Sequence, residues 1–77
     1  MNDGLHLLKV QAANRITQAF KESGMVQIEF AKILKVHQSK VSLIKNGRLK
    51  EFTLEFLLRC LDRMGTEYRL DFTRGEG

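Results

Sequence analysis

Apolar positions along this chain fall into four helical registers and one alternating one. From Leu5 to about Ser23, Leu8, Ala12, Ile16, Ala19 and Phe20 recur at i, i+4, i+8, i+11 and i+12, with Lys9, Gln11, Arg15 and Lys21 on the other side. That spacing predicts an amphipathic helix. Asp3 is placed to cap its start, and Gly24 to end it in the left-handed position after the last turn. Val26, Phe30, Ile33 and Leu34 make a second apolar face at i, i+4, i+7 and i+8. Val41 and Ile44, three apart, anchor a third helix, which Asn46-Gly47 closes. After a short loop, Arg48–Phe52, a fourth register follows in Leu54, Leu57, Leu58 and Leu61. Thr53 is its expected N-cap, Glu55 sits in its first turn, and Gly65 ends it. Phe56 and Cys60, four apart, fall off the leucine face and read as a second apolar strip.

The period changes after Gly65. Glu67-Tyr68-Arg69-Leu70-Asp71-Phe72 alternates strictly, which predicts a short strand over 66–73 with Tyr68, Leu70 and Phe72 on one face. Nothing else in the chain reads as strand, and a lone strand leaves its backbone groups unmet. The expected partner is the same strand of a second subunit, paired about a two-fold axis. Tyr68, Leu70 and Phe72, joined by Phe56 and Cys60, are therefore the expected dimer interface. Residues 1–4 and 73–77 read as loose ends.

The second and third registers form one unit. Between Val36 and Val41 lies the polar run His37-Gln38-Ser39-Lys40, so residues 26–47 read as two short helices joined by a tight turn. In such a helix-turn-helix the second helix enters the DNA major groove. The charges agree. Lys32, Lys35, Lys40, Lys45, Arg48 and Lys50 lie between Phe30 and Lys50, and all nine carboxylates of the chain lie outside that window. The net charge of +4 points the same way, toward a polyanionic partner.

The order Val26-Gln27, Phe30-Ala31, Leu34-Lys35-Val36-His37-Gln38, Val41-Ser42, Asn46-Gly47 resembles the Xre/Cro-like family of bacterial and phage regulators. Its core reads roughly T-Q-x-x-L-A-x-x-L-G-V-S-Q-x-x-V-S-x-x-E-x-G. The match covers about 22 residues, and the flanking helices extend it to about residue 64. Four positions depart from the pattern. Lys35 replaces the turn glycine and would need positive φ, which costs free energy in a residue with a Cβ. His37 replaces the capping Ser or Thr, and Val26 the Thr before the family glutamine. Lys45 replaces the family glutamate, removing an acid from the DNA side. The resemblance implies an all-α, lambda-repressor-like bundle of about four helices over 5–64, here with a short C-terminal β-strand, in one domain spanning 1–77. It also implies that Gln38, Ser39 and Lys40 face base edges, with Ser42 and Leu43 one turn on. Gln can pair with adenine, Lys with guanine, and Leu43 with a thymine methyl. Gln27 would bond a phosphate, and Lys45, Arg48 and Lys50 would neutralise others. The expected function is that of a dimeric repressor on an inverted-repeat operator. The compact form resembles antitoxins that repress their own operon and bind a small toxin, although a plain phage-like or chromosomal repressor carries the same features.

Other classes find less support. With 77 residues the chain is one domain at most and buries a small core. Cys60 is the only cysteine, so an internal disulfide is excluded and a reduced, cytoplasmic setting is expected. Leu5, Leu7 and Leu8 are too few for a signal peptide, and no apolar run is long enough to span a membrane. His6 and His37 lack metal-ligand spacing, and no Gly-rich phosphate loop is present, so neither a metal, a cofactor nor an enzymatic centre is expected. The rival from another class is a protein-interaction module without DNA function, using the helices as scaffold. Duplex binding that weakens as salt rises separates the two.

Overall fold

The computed structural model describes residues 3–65, which form four α-helices and one 3-10 turn: α1 (Asp3–Ser23), α2 (Gln27–Leu34), α3 (Gln38–Lys45), the 3-10 turn Leu49–Glu51, and α4 (Leu54–Arg63). The expected fold is corrected in one respect. The described residues are helical and contain no strand, and the segment 66–73, with Tyr68, Leu70 and Phe72, lies outside them.

Helix α1 is the backbone of the bundle. It packs chiefly on α4 and also on α3, while α2 packs on α3 and α4. Ala12, Ala13 and Ile16 form its buried stripe, and the small alanines let neighbouring helices approach. The helix begins at Asp3, so that residue lies within the first turn and not before it. At its end Gly24 adopts φ 72°, as expected, and the Ser23 hydroxyl donates to the Phe20 carbonyl at 2.7 Å. The Phe20 ring meets the Phe30 ring of α2 at 5.0 Å, tilted by 55°, a favourable arrangement for ring quadrupoles.

Helices α2 and α4 both sit rotated from the faces expected of them. In α2 the buried residues are Phe30, Ala31 and Leu34. Val26 is the N-cap and is 63% exposed, and Ile33 is also exposed. A stripe at i, i+1 and i+4 thus replaces the wider one that includes Val26 and Ile33. In α4 the buried residues are Leu57, Cys60 and Leu61, with Leu54 and Leu58 half-buried. Cys60 therefore belongs to the core and not to an outer strip. The loop before α4 also contributes to the core. Leu49 and Phe52 are both 5% exposed, since residues three apart eclipse one another in a 3-10 turn and turn inward together. Among the described residues no polar or charged side chain is buried.

Candidate nucleic-acid interface

The turn between α2 and α3 is a complete left-handed helix stop. Lys35 has φ 61° and ψ 41°. Its N–H donates to the Lys32 carbonyl and the Val36 N–H to the Ala31 carbonyl, both at 3.1 Å. This is the paired pattern that usually employs glycine, and it realises the positive φ expected at Lys35. The end of α3 repeats the pattern with the usual residue. Gly47 has φ 74°, its N–H donates to the Ile44 carbonyl at 3.1 Å, and the Arg48 N–H donates to the Leu43 carbonyl at 2.9 Å. At Lys35 the Cβ makes the conformation costlier, by about 1–2 kcal/mol. A long-range bond stabilises this turn. Arg63 Nη1, on the last turn of α4, donates to the Leu34 carbonyl at 3.0 Å, a helix-end acceptor with few other partners.

His37 caps α3 although Ser or Thr is the commoner choice. Its Nδ1 accepts from the Ser39 N–H at 3.2 Å and lies 3.0 Å from the Ser39 hydroxyl. Thr53 caps α4 as expected, with Oγ1 accepting from the Phe56 N–H at 3.0 Å. Val26, by contrast, offers α2 no side-chain cap, and only its carbonyl engages the first turn.

Gln27 ties α2 to α3. Its Nε2 donates to the Gln38 carbonyl at 3.1 Å and to the Ser42 hydroxyl at 2.6 Å, while its Oε1 accepts from Lys45 Nζ at 3.2 Å. One amide thus spans the length of α3. Ser42 and Leu43 are half-buried, Ser42 against this amide and Leu43 against the core cluster. Gln38, Ser39, Lys40, Lys45, Arg48 and Lys50 are exposed. Two of the cations rest on aromatic rings: Lys45 Nζ lies 4.9 Å from the centroid of Phe20, and Lys40 Nζ lies 5.7 Å from that of Phe52. Arg48 and Lys50 line an open cleft of about 460 Å³ together with Gly47, Leu49, Glu51 and His6 of α1. Nothing in the sequence joins His6 to that loop, because α1 and the 3-10 turn meet only in the fold.

The remaining expected site residues fall elsewhere. Phe56 is half-buried and stacks on Phe52, with ring centroids 5.2 Å apart and planes 12° apart. Cys60 has no exposed surface. Its thiol pKa is raised by burial, against which the nearby Arg63 charge acts in the lowering direction, so it is a poor nucleophile. Cys60 is thus enclosed by the core of its own chain. Arg63, Phe20 and Phe52 are the contributors that the sequence did not disclose. The Arg63 bond spans 29 positions, and the two rings read only as apolar side chains. Among the described residues no group of three His, Cys, Asp or Glu side chains could hold a metal ion, and no helix is long and apolar enough to cross a membrane.

A family profile for the helix-turn-helix domain matches residues 2–72. No curated protein and no solved structure matches the chain significantly.

Proposed function

The chain belongs to the helix-turn-helix domain family, and we propose on that premise that it is a sequence-specific DNA-binding transcriptional regulator. One observation carries the reading. The window from Phe30 to Lys50 holds six cations and no carboxylate, and it coincides with the α2–turn–α3 unit and the loop after it. Helix α3 enters the major groove with Gln38 and Ser39 leading, while Arg48 and Lys50 approach phosphates beside it. Gln27 serves α3 from within through its side-chain amide, and DNA from without through its backbone N–H in the first turn of α2. Its amide is committed to Gln38, Ser42 and Lys45, which fixes the angle at which α3 leaves α2.

The finer reading is a dimeric repressor of the Xre/Cro-like kind, of the antitoxin type that represses its own operon and binds a small toxin. The spacing of Gln27, Ala31, Val36, Gln38, Val41 and Gly47 supports it. Each chain supplies one reading helix, and a two-fold dimer sets two of them about 34 Å apart, one turn of DNA. The operator is then an inverted repeat. Selection of bound duplexes from a random pool tests this. Enrichment of an inverted repeat with half-sites about one turn apart is the expected result. Enrichment of single, unpaired half-sites removes the dimer, and no enrichment removes sequence-specific binding.

A further inference from the structure

The two lysines of α3 leave the helix in a particular way. Val41 and Ile44 mark its buried stripe. Lys40 lies one position before the first and Lys45 one position after the second. At 3.6 residues per turn each lysine departs about 70° from the centre of the stripe, on opposite flanks. Ser39 is the side chain opposite the stripe, whereas Gln38 departs about 90° from its centre, on the same flank as Lys45 but about two turns nearer the N-terminus of α3. The rings act on this geometry. Phe20 of α1 draws Lys45 toward α1 and α2, where Gln27 Oε1 also accepts from it at 3.2 Å. Phe52, just before α4, draws Lys40 the other way. Phe52 is in turn held by its stack on Phe56. Both cations are thereby kept from folding over the outer face of α3.

The dimensions of DNA give this arrangement a meaning. The major groove is about 12 Å wide, and a helix with its side chains is about 10–12 Å across. Side chains at the outer tip of an inserted helix meet base edges, whereas those on the flanks meet the two phosphate walls. We propose that Phe20 and Phe52 are positioning residues that seat Lys45 and Lys40 as a two-sided phosphate clamp, leaving base reading to Ser39 on the outer face and to Gln38 at the N-terminal end of α3, which leads into the groove. The proposal rests on the DNA-binding reading and deepens it. Lys40, which the family resemblance assigns to a guanine, is reassigned to a phosphate.

The test is a double-mutant cycle read on a selected duplex. Lys40→Ala lowers the salt slope by about one unit and leaves the consensus site unchanged. Phe52→Leu weakens binding about two- to fivefold, the loss expected for an exposed cation–ring contact. In the Lys40→Ala background Phe52→Leu has no further effect, because the lysine it seats is gone. Phe52→Tyr, which keeps a ring, restores affinity. Phe20 and Lys45 behave the same way. Equal weakening by Phe52→Leu with and without Lys40 overturns the seat, since a merely structural role acts in both backgrounds. A change of preferred base in Lys40→Ala overturns the phosphate assignment. Because Phe52 is buried, a second readout guards against a poorly folded variant. The Lys40 side-chain protons of the wild-type protein are shifted upfield by the ring, and their absence from that position in an NMR spectrum also overturns the seat. If the wild-type protein binds no duplex at low salt, the DNA reading fails and the clamp with it; failure confined to the cycle removes the clamp alone.

Discussion

Helices α3 and α4 invite comparison, since both are short, both pack on the bundle and both begin with a side-chain cap. Helix α4 neutralises one of its cations within the protein and uses the other to hold the α2–α3 turn. Glu55 and Arg59 pair at 2.9 Å on its outer face, and Arg63 reaches across to the Leu34 carbonyl. It buries Leu57, Cys60 and Leu61, the first and last of them large and fully enclosed. Helix α3 buries two residues, and its cations meet an amide oxygen and aromatic rings, none of which neutralises them. The difference separates a helix that holds the fold from one that presents a surface. Unneutralised charge on a positioned helix suits a polyanion, because each phosphate contact releases counterions.

The largest effect should come from the holding helix. Leu57→Ala leaves a cavity in a fully enclosed site and should cost about 2–5 kcal/mol of stability in urea denaturation. Gln38→Ala, on the exposed start of α3, should change stability by no more than about 0.5 kcal/mol. A comparable loss in both variants would erase the distinction between the two helices.

Sequence preference should respond in the opposite sense. Gln38→Ala should lose about 1–3 kcal/mol of discrimination at one base pair, seen as a relaxed position in the selected consensus. Arg59→Ala on α4 should leave the consensus as it was. A shift caused by Arg59→Ala would transfer the reading surface to the other helix.

The caps provide a smaller, matched pair of changes. Thr53→Ala and His37→Ala should each cost about 1 kcal/mol, measured by thermal unfolding. The His37 variant should also weaken DNA binding, because Ser39 loses both contacts with the imidazole. Thr53→Ala should not weaken it beyond its effect on stability.

The smallest change has the opposite sign. Lys35→Gly relieves the left-handed strain but loosens the unfolded chain, for a net gain of up to about 1 kcal/mol. A loss of stability would mean that the Lys35 side chain contributes more than its backbone conformation costs.

What was legible in the sequence was mostly local chemistry. Gly24, Gly47 and Gly65 all take positive φ where the chain was expected to stop a helix, Lys35 takes it where the resembled family has glycine, and Thr53 caps as expected. These outcomes depend on a few consecutive residues. The rotation of α2 and α4 about their axes does not. Whether Cys60 or Leu58 faces inward is decided by how α4 lies on α1, and a leucine-rich register fits both orientations. For the same reason the burial of Phe52 could not be read from a stretch that looked like loop. The interface was legible as a list of cations, but the partners that aim them were not. Gln27 lies 18 positions from Lys45, and the rings of Phe20 and Phe52 carry no polar signal. The alternation over 66–73 falls outside the described residues, whose backbone is helical wherever it is regular.

The central claim is that α3 and the loop after it form a surface for duplex DNA. Measuring the affinity of the wild-type protein for one selected duplex across a range of salt concentrations tests it most directly. If Lys40, Lys45, Arg48 and Lys50 each neutralise a phosphate, the logarithm of the binding constant should fall linearly with that of salt, with a slope of about −3.6 per chain from these four contacts. A slope near zero, or no duplex binding at low salt, would contradict the claim.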